Sequence, residues 1–234
     1  MSLLERVVEA LGGARWGRLR RFTGHFKLDG AVLASLPNSH SLKEIVAEGD
    51  IAARSIRISG FSAAPVAWVF HPDFVGIQQP DGGFVGVRRE VAPRGFHPPP
   101  WDESELVYLC GLSIWSCMTV PWAMLGAGVR IEELADWREG TETWRRLRLI
   151  TPSGALDYAH DKTLYFDQAG MLRRTDFDLD CDGGWPIAAY SSAPQRFSGL
   201  TTPTLYRALR RNVAGVAPDQ PSLLDIEIFD AAFD

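Results

Sequence analysis

The chain predicts a mainly β (α+β) fold: a single curved antiparallel sheet of about 10–11 strands, forming a half-barrel around a central apolar helical segment, with an N-terminal helix. Three observations carry this. Short segments that alternate apolar and polar residues recur at near-regular spacing along most of the chain. Only two segments show helical spacing or all-round apolar character, one at the start and one mid-chain. No linker, internal repeat or low-complexity stretch divides the 234 residues, so residues 1–234 read as one domain.

The elements follow in order. Residues 1–14 form the N-terminal helix: Leu3, Leu4, Val7, Val8 and Leu11 share one face, and Gly12 and Gly13 end it. Glu5, Arg6 and Glu9 interrupt the apolar core that a secretory peptide needs, which favours a cytoplasmic protein. Residues 16–92 hold the first strands. Phe22, Gly24, Phe26 and Leu28 alternate with Arg21, Thr23, His25 and Lys27, the pattern of a strand with one wet side. Residues 51–61 alternate likewise, with Ile56 and Ile58 against Arg57 and Ser59. Residues 66–91 read as short strands with a hairpin at Asp81-Gly82-Gly83, and the Pro-rich 93–100 as a stiff loop.

Residues 102–127 are the apolar helical plug. No charged side chain lies between Leu106 and Val129, long enough for a bilayer span. Against a span stand Pro121 inside the run, the acidic flanks (Asp102, Glu103, Glu105, Glu132, Glu133) and the absence of a basic cluster at either end. The reading is two buried helical pieces. The first, 103–118, is capped by Asp102 with Glu105 three residues on; the second starts near Pro121, with Thr119 as its cap, and ends at Gly126 or Gly128. Residues 129–230 return to strands: 129–137 and 143–150, a hairpin at 163–180 bent at 167–170, then 187–192, 195–198, 205–211 and 223–229.

Composition excludes several functions. A formal charge of -5 argues against a nucleic-acid surface, which would need a basic stripe. Three cysteines, Cys110, Cys117 and Cys181, lack metal spacing and suit a reducing compartment; the first two read as packing residues. The five histidines show no ligand spacing, so no metal and no cofactor is expected. G-x-S-x-G, H-E-x-x-H, C-x-x-C, P-loop and G-x-G-x-x-G patterns are all missing.

The run PWDESELVYLCGLSIWSCMTVPWAML resembles the mid-chain segment of a family of bacterial proteins of uncharacterised function. WRRLRLITP, TLYFDQAGMLRRTDFDLD, AAYSS, FSGL and PTLYRAL match it in the same order, from about Trp16 onward. The pattern YFD, then G-x-L-x-R, then D-[FY] is also similar to LolA/LolB-type lipoprotein carriers. That resemblance implies a curved antiparallel half-barrel wrapped around helices, with an apolar cavity for acyl chains. This chain departs from the family pattern at two positions. Where a histidine precedes D-[FY], and where one precedes the tyrosine of AHY, it has Thr175 and Ala189. A site built on those histidines is not expected here.

The candidate site residues come from the plug and the hairpin. Trp101, Tyr108, Trp115 and Trp122 are candidates for ligand contact, the last three being seven apart along the helical run. Arg174 and Asp176 share one strand face, while Arg173 and Thr175 share the other with Phe177 and Leu179. Whichever arginine turns inward would need a carboxylate or a ligand anion, so Arg173 or Arg174 reads either as a brace or as a polar anchor. Asp102, Asp176 and Tyr190 are the candidate acid/base groups, with Tyr108 beside them. Two functions fit: binding of a hydrophobic small molecule or acyl chain in an apolar cavity, or cofactor-independent catalysis there (isomerase/cyclase, lyase or hydrolase, in secondary metabolism). No membrane span and no nucleic-acid partner is expected, and the oligomeric state is left open.

Overall fold

The computed structural model describes residues 1–34, 42–89, 102–152, 159–179, 185–217 and 221–234. Trp101, Cys181 and the Pro-rich 93–100 lie outside the described residues. Among those described, thirteen strands form one antiparallel sheet in the order β6-β5-β4-β3-β2-β1-β13-β12-β11-β10-β9-β8-β7. They are β1 (Arg21–Asp29), β2 (Ile45–Asp50), β3 (Ser55–Ser59), β4 (Ala67–His71), β5 (Phe74–Gln78), β6 (Phe84–Arg89), β7 (Arg130–Glu139), β8 (Glu142–Ile150), β9 (Asp161–Phe166), β10 (Leu172–Leu179), β11 (Trp185–Phe197), β12 (Leu200–Arg210) and β13 (Leu224–Phe233). The helices are α1 (Leu3–Ala10) and α2 (Glu103–Met124). The sheet is open: β6 and β7 are its edges.

This order explains the helix. The chain builds outward from β1 to the edge β6, then re-enters at the opposite edge β7 and returns to β13, beside β1. α2 is the helix between the two edge strands. At 1.5 Å per residue its 22 residues span about 33 Å. Bulges at His25/Phe26, Val75/Ile77, Leu134/Trp137 and Leu172/Arg174 bend the strands. α2 lies against the inner face, and its all-round apolar character follows from burial of most of its side chains within the protein. By length and composition alone it could cross a membrane; 78% of its most apolar stretch is buried within the protein.

Several expectations change. The run is one continuous helix, not two pieces, and it ends at Met124 rather than at Gly126 or Gly128. Proline removes the N–H that would bond the carbonyl four residues back, that of Cys117. Here the Tyr206 hydroxyl donates to that carbonyl at 3.1 Å, so the helix passes Pro121 without breaking. Thr119 caps nothing; its hydroxyl donates to the Trp115 carbonyl at 2.7 Å, as Ser113 does to Leu109. The Asp102/Glu105 capping box forms as expected: Glu105 N–H to Asp102 at 2.9 Å, and Asp102 N–H to Glu105 at 2.8 Å.

The strands number thirteen rather than ten or eleven. The expected strand at 51–61 is a turn followed by β3, and β2 before it escaped notice because its inward residues, Ile45, Ala47 and Gly49, are mostly small. Residues 187–192 and 195–197 belong to one strand, β11, despite Pro194, and Ser198 lies in the turn that follows. Beyond Tyr190 the paired neighbour of β11 is β12 alone, so Pro194 removes no ladder bond on the β10 side. The hairpin at 167–170 is a tight turn in which Gly170 (φ +82°) takes a left-handed conformation and its N–H bonds the Asp167 carbonyl.

α1 is held by its own capping box from Ser2 and buries Leu3 and Val7. Leu11 follows, and its carbonyl accepts from the Trp16 indole at 2.8 Å and from the Thr201 N–H of β12 at 2.8 Å. The N-terminal segment thereby ties the start of β12 to the body of the sheet.

Candidate functional site: a hollow beside the central helix

α2 is not centred in the trough. Its chief contacts are with β3, β4 and β5, and with β12 on the other half. On the β3–β5 side the fit is close. A Cβ at Gly111 would stand 2.4 Å from Phe70 Cβ, so glycine is what lets helix and strand approach. Tyr108 packs edge-on to Phe70 with ring centroids 5.5 Å apart, and Trp115 lies 6.4 Å from Phe22. At the helix start, the Trp68 indole donates to Glu103 at 3.1 Å.

On the opposite flank a hollow of 120 Å³ remains between α2 and strands β9–β13. Leu109, Ser113, Ser116, Cys117 and Val120 form its helical wall; Thr175, Phe177, Ile187, Ala189, Ala208 and Ile226 are among those on the sheet wall. Thr175 and Ala189 are cross-strand partners in mid-sheet, yet neither is fully buried, because the hollow leaves them uncovered. A second chamber of 240 Å³ adjoins at the C-terminal end of α2, lined by Trp115, Trp122, Thr119, Thr151 and Arg54. The two chambers share Ser116, Val120 and Lys162. Burial raises the Cys117 thiol well above its usual value and pushes that of Cys110 up to about 12, so both are packing groups at neutral pH. The Tyr206 hydroxyl is raised well above its ordinary value, first by burial.

Arg174, Asp176 and Tyr190 are brought together, but on the other face of the sheet. The bulge at Leu172/Arg174 sets Thr175, Phe177 and Leu179 inward and Arg174 and Asp176 outward. Arg174 is fully buried even so. Its guanidinium donates twice to Asp176, at 2.6 and 3.0 Å, to Glu139 at 3.2 Å, to the Tyr190 hydroxyl at 3.0 Å and to the Gly215 carbonyl. The rings of Trp137, Tyr165 and Tyr190 lie within 5.7 Å of it. Tyr165 donates to Asp176 at 2.9 Å, and Tyr190 to Glu139 at 2.7 Å. Burial opposes the charge on Arg174, but the Asp176 bonds outweigh it and hold the group above its usual value. Burial and the Glu139 hydrogen bond push Tyr190 up to about 12; burial, then Asp176, raises Tyr165. A polar cleft of 660 Å³ opens beside this cluster, along Asp176, Tyr165, Arg211 and Gly215.

The predicted site residues thus fall into two groups on opposite faces. Tyr108, Trp115 and Trp122 run along α2 within the trough, Trp115 and Trp122 edge-on with centroids 6.2 Å apart. Asp102 belongs to neither group. It caps α2 at the surface and pairs with Arg88 at 2.8 Å. Sequence reasoning missed Glu139, Tyr165, Lys162 and Arg54. Lys162 had a readable signal, since Lys162, Leu164 and Phe166 share the inward register of β9. Glu139 and Arg54 sit at a strand end and in a turn, where no periodicity marks them.

The fold compares with three solved structures. A LolA superfamily protein from Nitrosomonas europaea matches with a TM-score of 0.54 and 9% identity, over 100% of this chain and 94% of that one. A domain provisionally assigned as an outer membrane lipoprotein-sorting protein, from Vibrio parahaemolyticus, matches at 0.53 and 12%, over 99% and 92%. The fold is LolA-like. A DUF1329 family protein from Desulfovibrio piger shares this LolA-like architecture at 0.56 and 10%, over 99% and 92%. No protein-family model matches the chain, and no curated protein sequence matches it, so the likeness stands at the level of the fold.

Proposed function

We propose that the protein binds a hydrophobic small molecule or acyl chain in the hollow between α2 and β9–β13. The observation that carries this is the uncovered apolar wall around Thr175, Phe177 and Ala189 in the middle of a thirteen-stranded sheet. A well-packed protein fills such a space; with the 240 Å³ chamber that adjoins it, the room exceeds the about 150 Å³ of an apolar cavity that takes up benzene. The LolA-like neighbours support the reading, one of them being assigned to lipoprotein sorting. The two positions at which the resembled family has histidine are the paired Thr175 and Ala189, so the sheet wall there offers no imidazole for acid/base work. The acid/base candidates Asp176 and Tyr190 serve Arg174 on the far face, which favours binding over catalysis. A cytoplasmic setting, suited to the reduced buried cysteines, completes the proposal.

Native mass spectrometry of the full chain, purified without detergent, tests it. The expected result is a non-covalent adduct that organic extraction releases as a hydrophobic compound. A bare mass throughout, together with no uptake of a hydrophobic dye, would sink the reading.

A further inference from the structure

We infer that the ligand carries an uncharged oxygen function, a carbonyl or a hydroxyl, on its apolar body, and that Ser191, Thr175 and Ser116 receive it in the hollow. This rests on the binding function proposed above and specifies its ligand class.

Other hydroxyls around α2 are bonded within the protein. Ser113 donates to the Leu109 carbonyl and Thr119 to that of Trp115, each at 2.7 Å. Thr204 donates to the Ala193 carbonyl at 2.7 Å, and Thr202 lies 3.2 Å from the Tyr206 hydroxyl. Ser191, Thr175 and Ser116 differ. All three line the hollow, and none of their hydroxyls has a hydrogen-bond partner among the described residues. Ser191 is only 4% exposed, so bulk water does not serve it. On the sheet wall Thr175 pairs with Ala189, and Ser191 follows two residues on, on the same face of β11. On the helical wall Ser116 does not return its hydroxyl to its own helix, as Ser113 and Thr119 do. Buried polar groups are bonded as a rule, and one left unmet is costly. An oxygen brought by the ligand removes that cost in the filled hollow.

The rest of the wall calls for no charge. Cys117 and Tyr206 also line the hollow, and both stay protonated at neutral pH because burial raises them. The described lining residues include no carboxylate. Their one cation, Lys162, is engaged within the protein and also lines the polar cleft with Asp161, Asp176 and Asp178. An ionised group in the hollow would therefore meet no free counter-charge. A carbonyl accepts from a serine or threonine hydroxyl, and an alcohol both donates to it and accepts from it.

The test uses three probes of equal carbon count, octane, octanol and methyl hexyl ketone, each followed by displacement of a hydrophobic dye from the full chain. Each probe is compared between variants, so its own hydration cancels. The double variant Ser191→Ala with Thr175→Val should bind the ketone and the alcohol about tenfold more weakly than the wild type, a difference of about 1.4 kcal/mol, and octane no more weakly. Thr175→Ser, which keeps the hydroxyl, should retain the wild-type affinity for both. Ser116→Ala reads the opposite wall independently and should weaken the ketone and the alcohol about threefold with octane unchanged. The double variant should melt no lower than the wild type, because the hydroxyls it removes bond nothing in the empty protein. A clearly lower melting temperature would show them bonded within the chain and overturns the inference. Affinities that stay unchanged or shift equally for all three probes overturn it too, and leave the binding function standing. Displacement by none of the probes overturns both.

Discussion

The two flanks of α2 solve one problem in different ways. On the β3–β5 flank, helix and sheet support each other: Gly111 lies close against Phe70, and Tyr108 packs edge-on to the same ring. On the β9–β13 flank the helix touches β12, where Tyr206 bonds Cys117, and a hollow is left beside that contact. A strand pair that loses its inner support needs another source of rigidity. Here it lies on the outer face, where Arg174 ties β10, β11 and the end of β7 together through Asp176, Tyr190 and Glu139. One half of the trough is braced from within, the other from behind. That is how a sheet can keep an apolar hollow open without collapsing onto its helix.

The largest effect should come from removing the outer brace. Arg174→Met takes the buried guanidinium from Asp176 and Glu139, leaving Asp176 only Arg211 at 3.7 Å, and breaking a buried pair typically costs about 3–5 kcal/mol. Urea denaturation should show this; a loss below about 1 kcal/mol would mean that the outer network is not what supports the hollow half.

Next comes the contrast between flanks. Gly111→Val places a side chain into the base of Phe70, which cannot swing away, and should cost about 3 kcal/mol, the upper end for overpacking. Ala189→Val adds volume on the hollow side and should change stability by no more than about 0.5 kcal/mol. Equal costs at the two positions would abolish the distinction between the flanks.

Tyr206→Phe should cost about 1–3 kcal/mol, because it leaves the Cys117 carbonyl without its donor beside Pro121. Thermal unfolding checks it, and a wild-type melting temperature would mean that the helix tolerates the orphaned carbonyl.

The smallest effect concerns pH. Tyr190 is raised from 10.0 to about 12 in the folded state, so it favours folding while protonated. That contribution is full below about pH 10 and is lost as the pH rises through about 12. Tyr190→Phe should therefore flatten part of the alkaline fall in stability over that window; an unchanged alkaline limb would place its source elsewhere.

How much of this was legible in the sequence follows the same division. The seated flank and the sheet declare themselves through two-residue alternation, and Asp102 with Glu105 marks the helix start correctly. Pro121 misleads because the group that satisfies the freed carbonyl, Tyr206, lies 89 residues away and sequence order does not reveal it. The hollow is a matter of how far α2 stands from the sheet, which alternation cannot express. Arg174 and Asp176 were visible as a pair on one face, but which face looks inward was set by the bulge at Leu172/Arg174, and bulges leave no periodic mark. Glu139, which joins that pair from β7, is brought there by pairing of distant strands.

The most direct test of the central claim is calorimetric titration of dodecanol into the wild-type chain and into the double variant Thr175→Leu with Ala189→Leu, which fills the sheet wall of the hollow. The account predicts saturable one-to-one binding to the wild type, and none to a double variant that melts no lower. Equal binding to both would contradict it.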